Sequence, residues 1–407
     1  MKLRLSKGIL SLIIILSIIT QTGCAVKRKG ETVSPRKAMK QVGYFGRPDF
    51  KDSLDKFPLL EAIKRNYDYL GRLPPERMIS YGEREYTVTQ VIESFQLFEK
   101  ILTEAKDEAE LKKLVTENFD IFESTGNDRQ KNVLFTGYYE PIMKGSLKKD
   151  SKYRYPIYSL PDDLVKVDLG KFNQSLAGRS IVARIANNKI SPYHTRGEID
   201  KGVQLSGKGF EMAWLEDRLD LFFLHIQGSG IIETDSGKIL NVNYAGNNGK
   251  DYKSIGRLLI NNGDVPKEEM SMKAIREYLN KHPEKMDEVL NHNESYVFFR
   301  QVEKGPIGSI GVPLTPKRSI ATDTKIFPKG SLAYIETEIP ITDKDGNIEN
   351  WEAFSAFVVD QDTGGAIKGA GRVDIFFGSG DKAGHTAGSM NRNGKLYYLI
   401  KKDAEKR

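Results

Sequence analysis

The stretch VVDQDTGGAIKGAGRVDIFFG, residues 358–378, carries the features that decide the fold and the chemistry of this chain. Two valines lead into a polar turn rich in glycine, and a second apolar segment follows. This pattern predicts two strands joined by an exposed loop. Asp360, Asp362 and Asp374 all lie within it. The sequence therefore places three carboxylates in or beside predicted β-structure.

Asp374 is the strongest candidate for a catalytic group. Its neighbours are apolar or aromatic: Val373, Ile375, Phe376 and Phe377. Desolvation raises the pKa of a carboxyl and can keep it protonated as a general acid, which cleavage of a glycosidic bond requires. The residues alone leave another interpretation open, in which Asp374 faces solvent from the polar side of an amphipathic strand.

Outside this stretch, a helical N-terminal part precedes a β-rich remainder. A capping box at Thr87–Gln90 predicts a helix start, and another amphipathic helix is expected near Glu108–Phe119. From Leu134 onward, short apolar segments alternate with glycine, asparagine and proline turns, as in β-structure. Further predictions are strands at 155–158, 221–226, 295–300, 331–339, 353–360 and 395–401, polar turns at 227–230 and 243–249, and helices at 254–260 and 271–279.

Composition excludes several function classes. The chain has 407 residues, of which 39% are hydrophobic and 29% charged, as expected for a folded body of two or three domains. The formal charge is +7, or about +4 without the first basic residues, and no dense basic stripe indicates nucleic acid. One cysteine and five histidines form no zinc motif and argue against a catalytic metal. Serine-hydrolase and phosphate-loop motifs are also missing from the sequence.

The N-terminus predicts export and lipidation. Residues 1–24 begin with basic residues and continue into a short apolar run, Ile9–Ile19, which is typical of a signal peptide. The segment ends in TGC at Cys24 and resembles a bacterial lipobox, although Gln21 stands where leucine is usual. Because Ala25 is not aspartate, the resemblance implies an outer-membrane lipoprotein facing the periplasm. An ordinary secretory signal with an incidental cysteine is the alternative.

Residues 25–52 are predicted to form a solvated tether. Eight basic residues meet only three acidic ones there, and apolar periodicity is missing from the segment.

The motifs of the body resemble the membrane-bound lytic murein transglycosylase A family. The matching stretches are FTGYYEP (135–141), YPIY (155–158), LFFLHIQGSG (221–230), NYAGNNGKDYKSIGRLL (243–259), SYVFFR (295–300), GVPLTPKRSIATD (311–323) and DQDTGGAIKGAGRVDIFFGSG (360–380). They lie in the family's order and extend over most of the chain.

This resemblance implies a mostly β fold with helical additions. A discontinuous double-psi β-barrel, with N-terminal helices, is expected at 45–150 and 300–407, and a second β-rich domain is inserted at 151–299. A deep groove separates the two domains. The segments 319–323 and 326–330 match the strand-and-turn pattern of such barrels.

The resemblance also implies the reaction. Family members cleave the β-1,4 bond between N-acetylmuramic acid and N-acetylglucosamine in peptidoglycan glycan strands. The muramic acid O6 hydroxyl attacks C1 and gives a 1,6-anhydro product. An intramolecular hydroxyl has a high effective molarity, so one carboxyl suffices as acid and then base. No metal and no cofactor are required.

Site residues are carried over by motif. Asp374 matches the catalytic aspartate, and Asp362 matches the aspartate that supports it by hydrogen bonding or charge stabilisation. Asp360 and Asp381 are expected to be surface carboxylates. The expected groove residues are Tyr138, Gln227, Ser229, Tyr244 and Thr363.

Two other functions stay open at this point. A muramidase would use Asp374 and Asp362 as a pair and leave a reducing end. A non-catalytic lipoprotein would use the barrel only to bind peptidoglycan. Other cell-wall enzymes are also left open as partners.

Overall fold

The computed structural model describes residues 34–202 and 204–403. The predicted signal peptide, Cys24 and the first part of the predicted tether lie outside these residues. Within the part that is described, no helix is long and apolar enough to cross a membrane.

Ten α-helices form within the described residues, and their starts follow local capping. Thr87 and Gln90 make the reciprocal capping box that the sequence predicts. The Ser271 side chain accepts a hydrogen bond from the Ala274 amide and begins another helix. The helices are α1 (Pro35–Ala38), α2 (Lys56–Leu70), α3 (Val88–Glu104), α4 (Glu108–Asn118), α5 (Arg196–Asp200), α6 (Arg218–Gln227), α7 (Ile255–Asn262), α8 (Met272–Lys281), α9 (Met286–His292) and α10 (Asp381–Ser389).

Nineteen strands are present in the same residues, and those predicted at 155–158, 295–300, 331–339, 353–360 and 395–401 are confirmed. The strands are β1 (Met39–Gln41), β2 (Met78–Tyr81), β3 (Arg84–Thr87), β4 (Phe119–Ser124), β5 (Val133–Glu140), β6 (Ile142–Ser146), β7 (Tyr155–Tyr158), β8 (Leu164–Asp168), β9 (Ser180–Ala186), β10 (Lys189–Pro192), β11 (Glu211–Leu215), β12 (Ser229–Thr234), β13 (Ile239–Asn247), β14 (Val297–Val302), β15 (Ser319–Ala321), β16 (Leu332–Thr342), β17 (Ile348–Asp362), β18 (Arg372–Ser379) and β19 (Asn391–Lys401).

Six strands close into a barrel. Their order is β19–β16–β17–β15–β18–β5, and β5 returns to pair with β19. The pairs β15–β17 and β18–β5 are parallel, so the chain must cross over between them. Helices α2 and α3 cover the barrel, where Phe98 packs against Phe357 at 4.8 Å between ring centroids. The mostly β architecture with helical additions is therefore confirmed, and both parts of the chain contribute strands to the barrel.

A second, six-stranded sheet occupies the middle of the chain in the order β14–β13–β12–β6–β11–β7. A three-stranded sheet, β10–β9–β8, accompanies it. Residues 142–146, which the sequence analysis places in the barrel, belong to this second sheet instead. The reason is that β6 pairs with β12 on one side and with β11 on the other.

The predicted strand at 221–226 is wrong, because α6 occupies this region. The Asp217 carboxylate accepts from the Leu219 amide and caps the helix, and Gly228 ends it with a φ of +78°. The helix is buried between two hydrophobic clusters, so it is apolar on both sides. Its sequence therefore shows a continuous apolar run, as in a buried strand, and not the one-sided pattern of a surface helix. The residues divide between these clusters: Leu221 and Leu224 in one, Leu219, Phe222 and Phe223 in the other.

The predicted exposed turn at 243–249 is also wrong over most of its length, because β13 continues to Asn247. Asn243 exchanges two hydrogen bonds with the backbone of Ile307, at 3.1 and 2.8 Å. Asn248 is fully buried and accepts from the Tyr296 amide at 2.9 Å. These amides replace missing backbone partners, so a polar segment is buried without an energetic penalty.

The predicted tether is wrong from residue 38 onward. Ala38, Met39 and Phe50 are buried in the barrel core. Strand β1 pairs with β4 at the edge of the sheet. The segment is too short to show periodicity, so its three buried apolar residues could not be recognised from the pattern.

Candidate active site

The two candidate aspartates are brought together by strand register. Ala321 in β15 pairs with Asp374 of β18 on one side and with Asp362 of β17 on the other. Two strand spacings separate the aspartates, which corresponds to about 10 Å between their Cα atoms. Both side chains line one cleft of about 550 Å³.

Asp374 is largely withdrawn from solvent, with 18% of its side chain exposed. The Thr136 hydroxyl donates a hydrogen bond to Asp374 Oδ1, and Arg372 Nη2 lies 3.6 Å from the same oxygen. Burial raises the pKa of Asp374 to about 6, against the opposing effect of Arg372 and with a further increase from Asp362. The interpretation of Asp374 as a solvent-facing residue is therefore wrong.

Asp362 is held by three donors. Its Oδ1 accepts from the amides of Ser309 and Thr363 at 2.9 and 2.8 Å, and its Oδ2 accepts from the Tyr138 hydroxyl at 2.9 Å. The pKa of Asp362 is raised from its usual value, because burial outweighs the lowering by these hydrogen bonds and by the charge of Lys329. Donors of this kind favour a carboxylate over a carboxylic acid, so they partly offset the effect of burial at Asp362.

Asp360 is not a surface carboxylate, contrary to the sequence-based expectation. It is fully buried, and its Oδ1 accepts from Lys329 Nζ at 2.6 Å. Its Oδ2 accepts from the hydroxyls of Thr322 and Tyr398 at 2.6 and 2.7 Å. A buried charge is stable only when it is paired and hydrogen-bonded in this way. Asp381, by contrast, is exposed as expected.

The five expected groove residues all line the cleft: Tyr138, Gln227, Ser229, Tyr244 and Thr363. Tyr138 and Thr363 come from the barrel and contact Asp362 directly. Gln227 and Tyr244 come from α6 and β13, so both sheets contribute walls. Gln227 Oε1 accepts from the Tyr139 amide at 3.0 Å and thereby joins the two walls.

Ser229 and Tyr244 differ in their access to solvent. Ser229 is buried at the start of β12. The Tyr244 ring is 44% exposed, and its hydroxyl accepts from Asn247 Nδ2 at 2.8 Å. An exposed aromatic ring beside a cleft offers an apolar face to a ligand, whereas Ser229 offers a single hydroxyl.

Sequence reasoning did not single out Thr136, Arg372, Lys329 or Ser309. Thr136 faces Asp374 because β5 and β18 run parallel in register, whereas Arg372 lies two residues before Asp374 in β18 and so on the same side of the strand. Thr136 lies in the FTGYYEP motif, so its hydroxyl could have been predicted as a hydrogen-bonding group of the site. The roles of Lys329 and Ser309 depend on contacts across the fold and leave no local signal.

A metal site would need several ligating side chains close together. Over residues 34–202 and 204–403, no group of three or more His, Cys, Asp or Glu side chains could hold a metal ion.

The chain matches two family models: the MltA specific insert domain over residues 134–300 and the 3D domain over residues 318–400. It is 36% identical to the membrane-bound lytic murein transglycosylase A of Vibrio cholerae serotype O1, over 67% of both chains. It is also 36% identical to that of Escherichia coli K12, over 69% of both chains.

Solved structures agree with this comparison. A membrane-bound lytic murein transglycosylase from Agrobacterium tumefaciens matches with a TM-score of 0.73 and 30% identity, over 89% of this chain and 98% of that one. Escherichia coli MltA with bound chitohexaose matches with a TM-score of 0.67 and 28% identity, over 92% and 98%. The chain thus belongs to the MltA family of lytic murein transglycosylases, which are peptidoglycan-cleaving enzymes.

Proposed function

We propose that this enzyme cleaves the β-1,4 bond between N-acetylmuramic acid and N-acetylglucosamine with Asp374 as its single acid and base. The observation that carries the proposal is the raised pKa of Asp374, about 6, in a cleft lined by both sheets. An acid with a pKa near the working pH can both give and take a proton. The structure of E. coli MltA with bound chitohexaose supports a glycan as the ligand.

The reaction balances with one carboxyl group. Protonated Asp374 gives its proton to the glycosidic oxygen as the bond from that oxygen to C1 breaks. The muramic acid O6 then forms a bond to C1, and its proton passes to the Asp374 carboxylate. Because the nucleophile is part of the substrate, no water has to be positioned.

Asp362 has a separate role in this proposal. Its hydrogen bonds from Tyr138, Ser309 and Thr363 favour a negative charge, which stabilises the positive charge that develops at C1. A muramidase would instead need Asp362 as nucleophile or as base for water. Three donors already bind the oxygens of Asp362, two on Oδ1 and one on Oδ2, and this stabilises a fixed charge and supports the electrostatic role.

Product analysis tests the proposal. Digestion of sacculi should release 1,6-anhydromuropeptides, which are ~18 Da lighter than hydrolytic products because no water is added. Mass spectrometry of the digest measures this difference. Reducing-end muropeptides as the main product would replace the proposal with the muramidase.

We also propose the placement of the enzyme in the cell. The relatives are named membrane-bound. Lipidation of Cys24 would anchor this chain to the outer membrane, facing the periplasm, where peptidoglycan is within reach. We propose further that residues 38–141 and 303–403 form the barrel part and that the intervening sheets form the inserted domain.

A further inference from the structure

A second cavity, of about 680 Å³, lies in the middle part of the chain. It shares no lining residue with the catalytic cleft. Tyr296 lines the second cavity, and its ring centroid lies 4.3 Å from that of His225, which lines the cleft. A single layer of packed side chains thus separates the two cavities at this point.

Two buried tyrosines line this cavity. Tyr158 and Tyr296 are 2% and 1% exposed, and their ring centroids are 6.4 Å apart. Neither hydroxyl makes a hydrogen bond to another residue in the described part of the chain. Burial raises the pKa of Tyr158 to about 12 and that of Tyr296 well above its usual value. Both phenols therefore stay neutral and can donate or accept a hydrogen bond.

Asp200 lies beside these hydroxyls and is only 15% exposed. Its Oδ2 accepts one long hydrogen bond, 3.4 Å, from Arg218 Nη2. Its Oδ1 has no hydrogen-bond partner among the residues that the structure describes. A carboxylate oxygen with free acceptor sites in a cavity can accept a hydrogen bond from a ligand hydroxyl.

Aromatic faces complete the cavity. Trp214 in β11 and Tyr155 in β7 both line it, and their strands are neighbours in the sheet. The Arg154 guanidinium lies over the Tyr155 ring, 5.4 Å from its centroid. These rings offer apolar surface next to the polar groups of Tyr158, Tyr296 and Asp200.

We propose that this cavity is a second, non-catalytic binding site for a sugar ring of the glycan strand. A pyranose presents an apolar C–H face to an aromatic ring and hydroxyls to polar side chains, which is the combination found here. The carboxylates of Asp200, Glu211 and Asp287 also line the cavity, and Arg218 is already paired with two of them. Lys149, Arg154 and Lys201 line the cavity as well, so its lining is close to charge balance, which suits a neutral sugar ring. This second-site proposal rests on the proposed function only in that the enzyme binds glycan strands, and it does not depend on the mechanism of cleavage.

The two tryptophans of the chain allow a direct test. Trp351 lies under the Arg392 guanidinium, 3.5 Å from the ring centroid, and lines neither cavity. In the full-length protein, W351F leaves Trp214 as the only tryptophan, and D374N in the same chain prevents turnover. Titration with chitohexaose should then change the emission of Trp214 in a saturable way.

Matched variants show which cavity produces the change in Trp214 emission. Y158F together with Y296F should weaken the apparent affinity by about tenfold, because two hydrogen bonds are lost while shape is kept. D200N should weaken it as well, and it serves as the second variant if the tyrosine pair reduces folding. Y244A, which alters the catalytic cleft, should leave the Trp214 response unchanged.

Three results would overturn the second site. They are an unchanged Trp214 emission, a response that survives both Y158F/Y296F and D200N, and a response that Y244A abolishes. A response to peptide-bearing fragments but not to chitohexaose would equally exclude a sugar ring. None of these results bears on the 1,6-anhydro product, so this proposal and the mechanism can fail separately.

Discussion

Asp374 and Asp362 lie in one cleft, and burial raises the pKa of both, but their hydrogen-bond donors differ. Asp374 has one hydroxyl donor, from Thr136, and a guanidinium that stays 3.6 Å away. Asp362 has three donors on its two oxygens. The donors on Asp362 oppose the effect of its burial and stabilise its charged form, and such a difference in surroundings can divide acid and electrostatic roles between two carboxyls.

The first prediction at the residue scale concerns activity. D374N should reduce turnover of sacculi by ~10²–10⁴ or more, because asparagine keeps the shape but cannot transfer a proton. D362N should keep measurable activity and should still give the 1,6-anhydro product. Rates of muropeptide release measure both effects. Full activity of D374N would remove Asp374 from the mechanism and make Asp362 the leading acid.

The second prediction concerns stability. Since the folded-state pKa of Asp374 is raised from 3.8 to about 6, the protein binds this proton more tightly when folded. The associated stability is present at low pH and is lost as the pH rises through 6. D374N should therefore stabilise the protein by about 3 kcal/mol at pH 8 but by only about 0.5 kcal/mol at pH 4.

Thermal unfolding at the two pH values measures this difference. The exposed Asp162 gives the matched control, because D162N changes one charge without changing a buried group. Equal shifts of Tm for D374N at pH 4 and pH 8 would contradict a raised pKa for Asp374.

At this scale, the sequence could identify Asp374 and Asp362 from their motif but not the state of Asp360. Asp360 and Asp362 are two residues apart, so both point to the same side of β17 by simple alternation. Asp360 is nevertheless buried with Lys329, and Asp362 faces the cleft. The register shift beside Ala321 alters the pairing there, and no local sequence pattern predicts this shift.

Among the elements, β15 and the turn after it position the site. The three residues of β15, Ser319–Ala321, are buried, and the strand pairs with both aspartate-bearing strands. Lys329 Nζ holds the turn by donating to Asp360 Oδ1 and to the Asp362 carbonyl, each at 2.6 Å. Lys329 thus links the buried carboxylate to the backbone of the cleft residue.

K329M should be strongly destabilising. It leaves the buried Asp360 without its cation, and breaking a buried ion pair on one side costs about 3–5 kcal/mol. K325M is the matched control, because Lys325 is exposed four residues earlier and should change stability by less than about 0.5 kcal/mol. Urea unfolding of the two variants measures the difference. Equal stability would mean that Asp360 takes up a proton or finds another partner.

Element types were predictable where a cap or a one-sided apolar face was present, as at Thr87 and Ser271. They were not predictable for α6 or for the end of β13. Helix α6 is apolar on opposite faces because it lies between two clusters, and β13 carries buried asparagines that bond to the backbone. In both cases tertiary contacts override the local pattern.

For the whole molecule, barrel closure depends on pairings between distant segments. Strand β5 pairs with β18 and β19, more than 230 residues later in the chain. Periodicity contains no information about such pairings, and only the resemblance to a family could supply the fold. The same closure brings Thr136 to Asp374 and Tyr138 to Asp362, so the site forms only in the complete fold.

The last prediction concerns anchoring of the whole enzyme. C24A should move the protein from the membrane fraction to the soluble periplasmic fraction, because in the proposed anchoring the acyl chains are attached to Cys24, the only cysteine. The apolar run Ile9–Ile19 is too short to replace them, since a spanning helix needs about 20 apolar residues. Q21L is the matched control: it brings the segment closer to the usual lipobox and should leave the protein in the membrane fraction. Fractionation and the intact mass of the mature protein measure location and lipid together. If C24A still sediments with membranes at high salt, the anchor lies elsewhere in the chain.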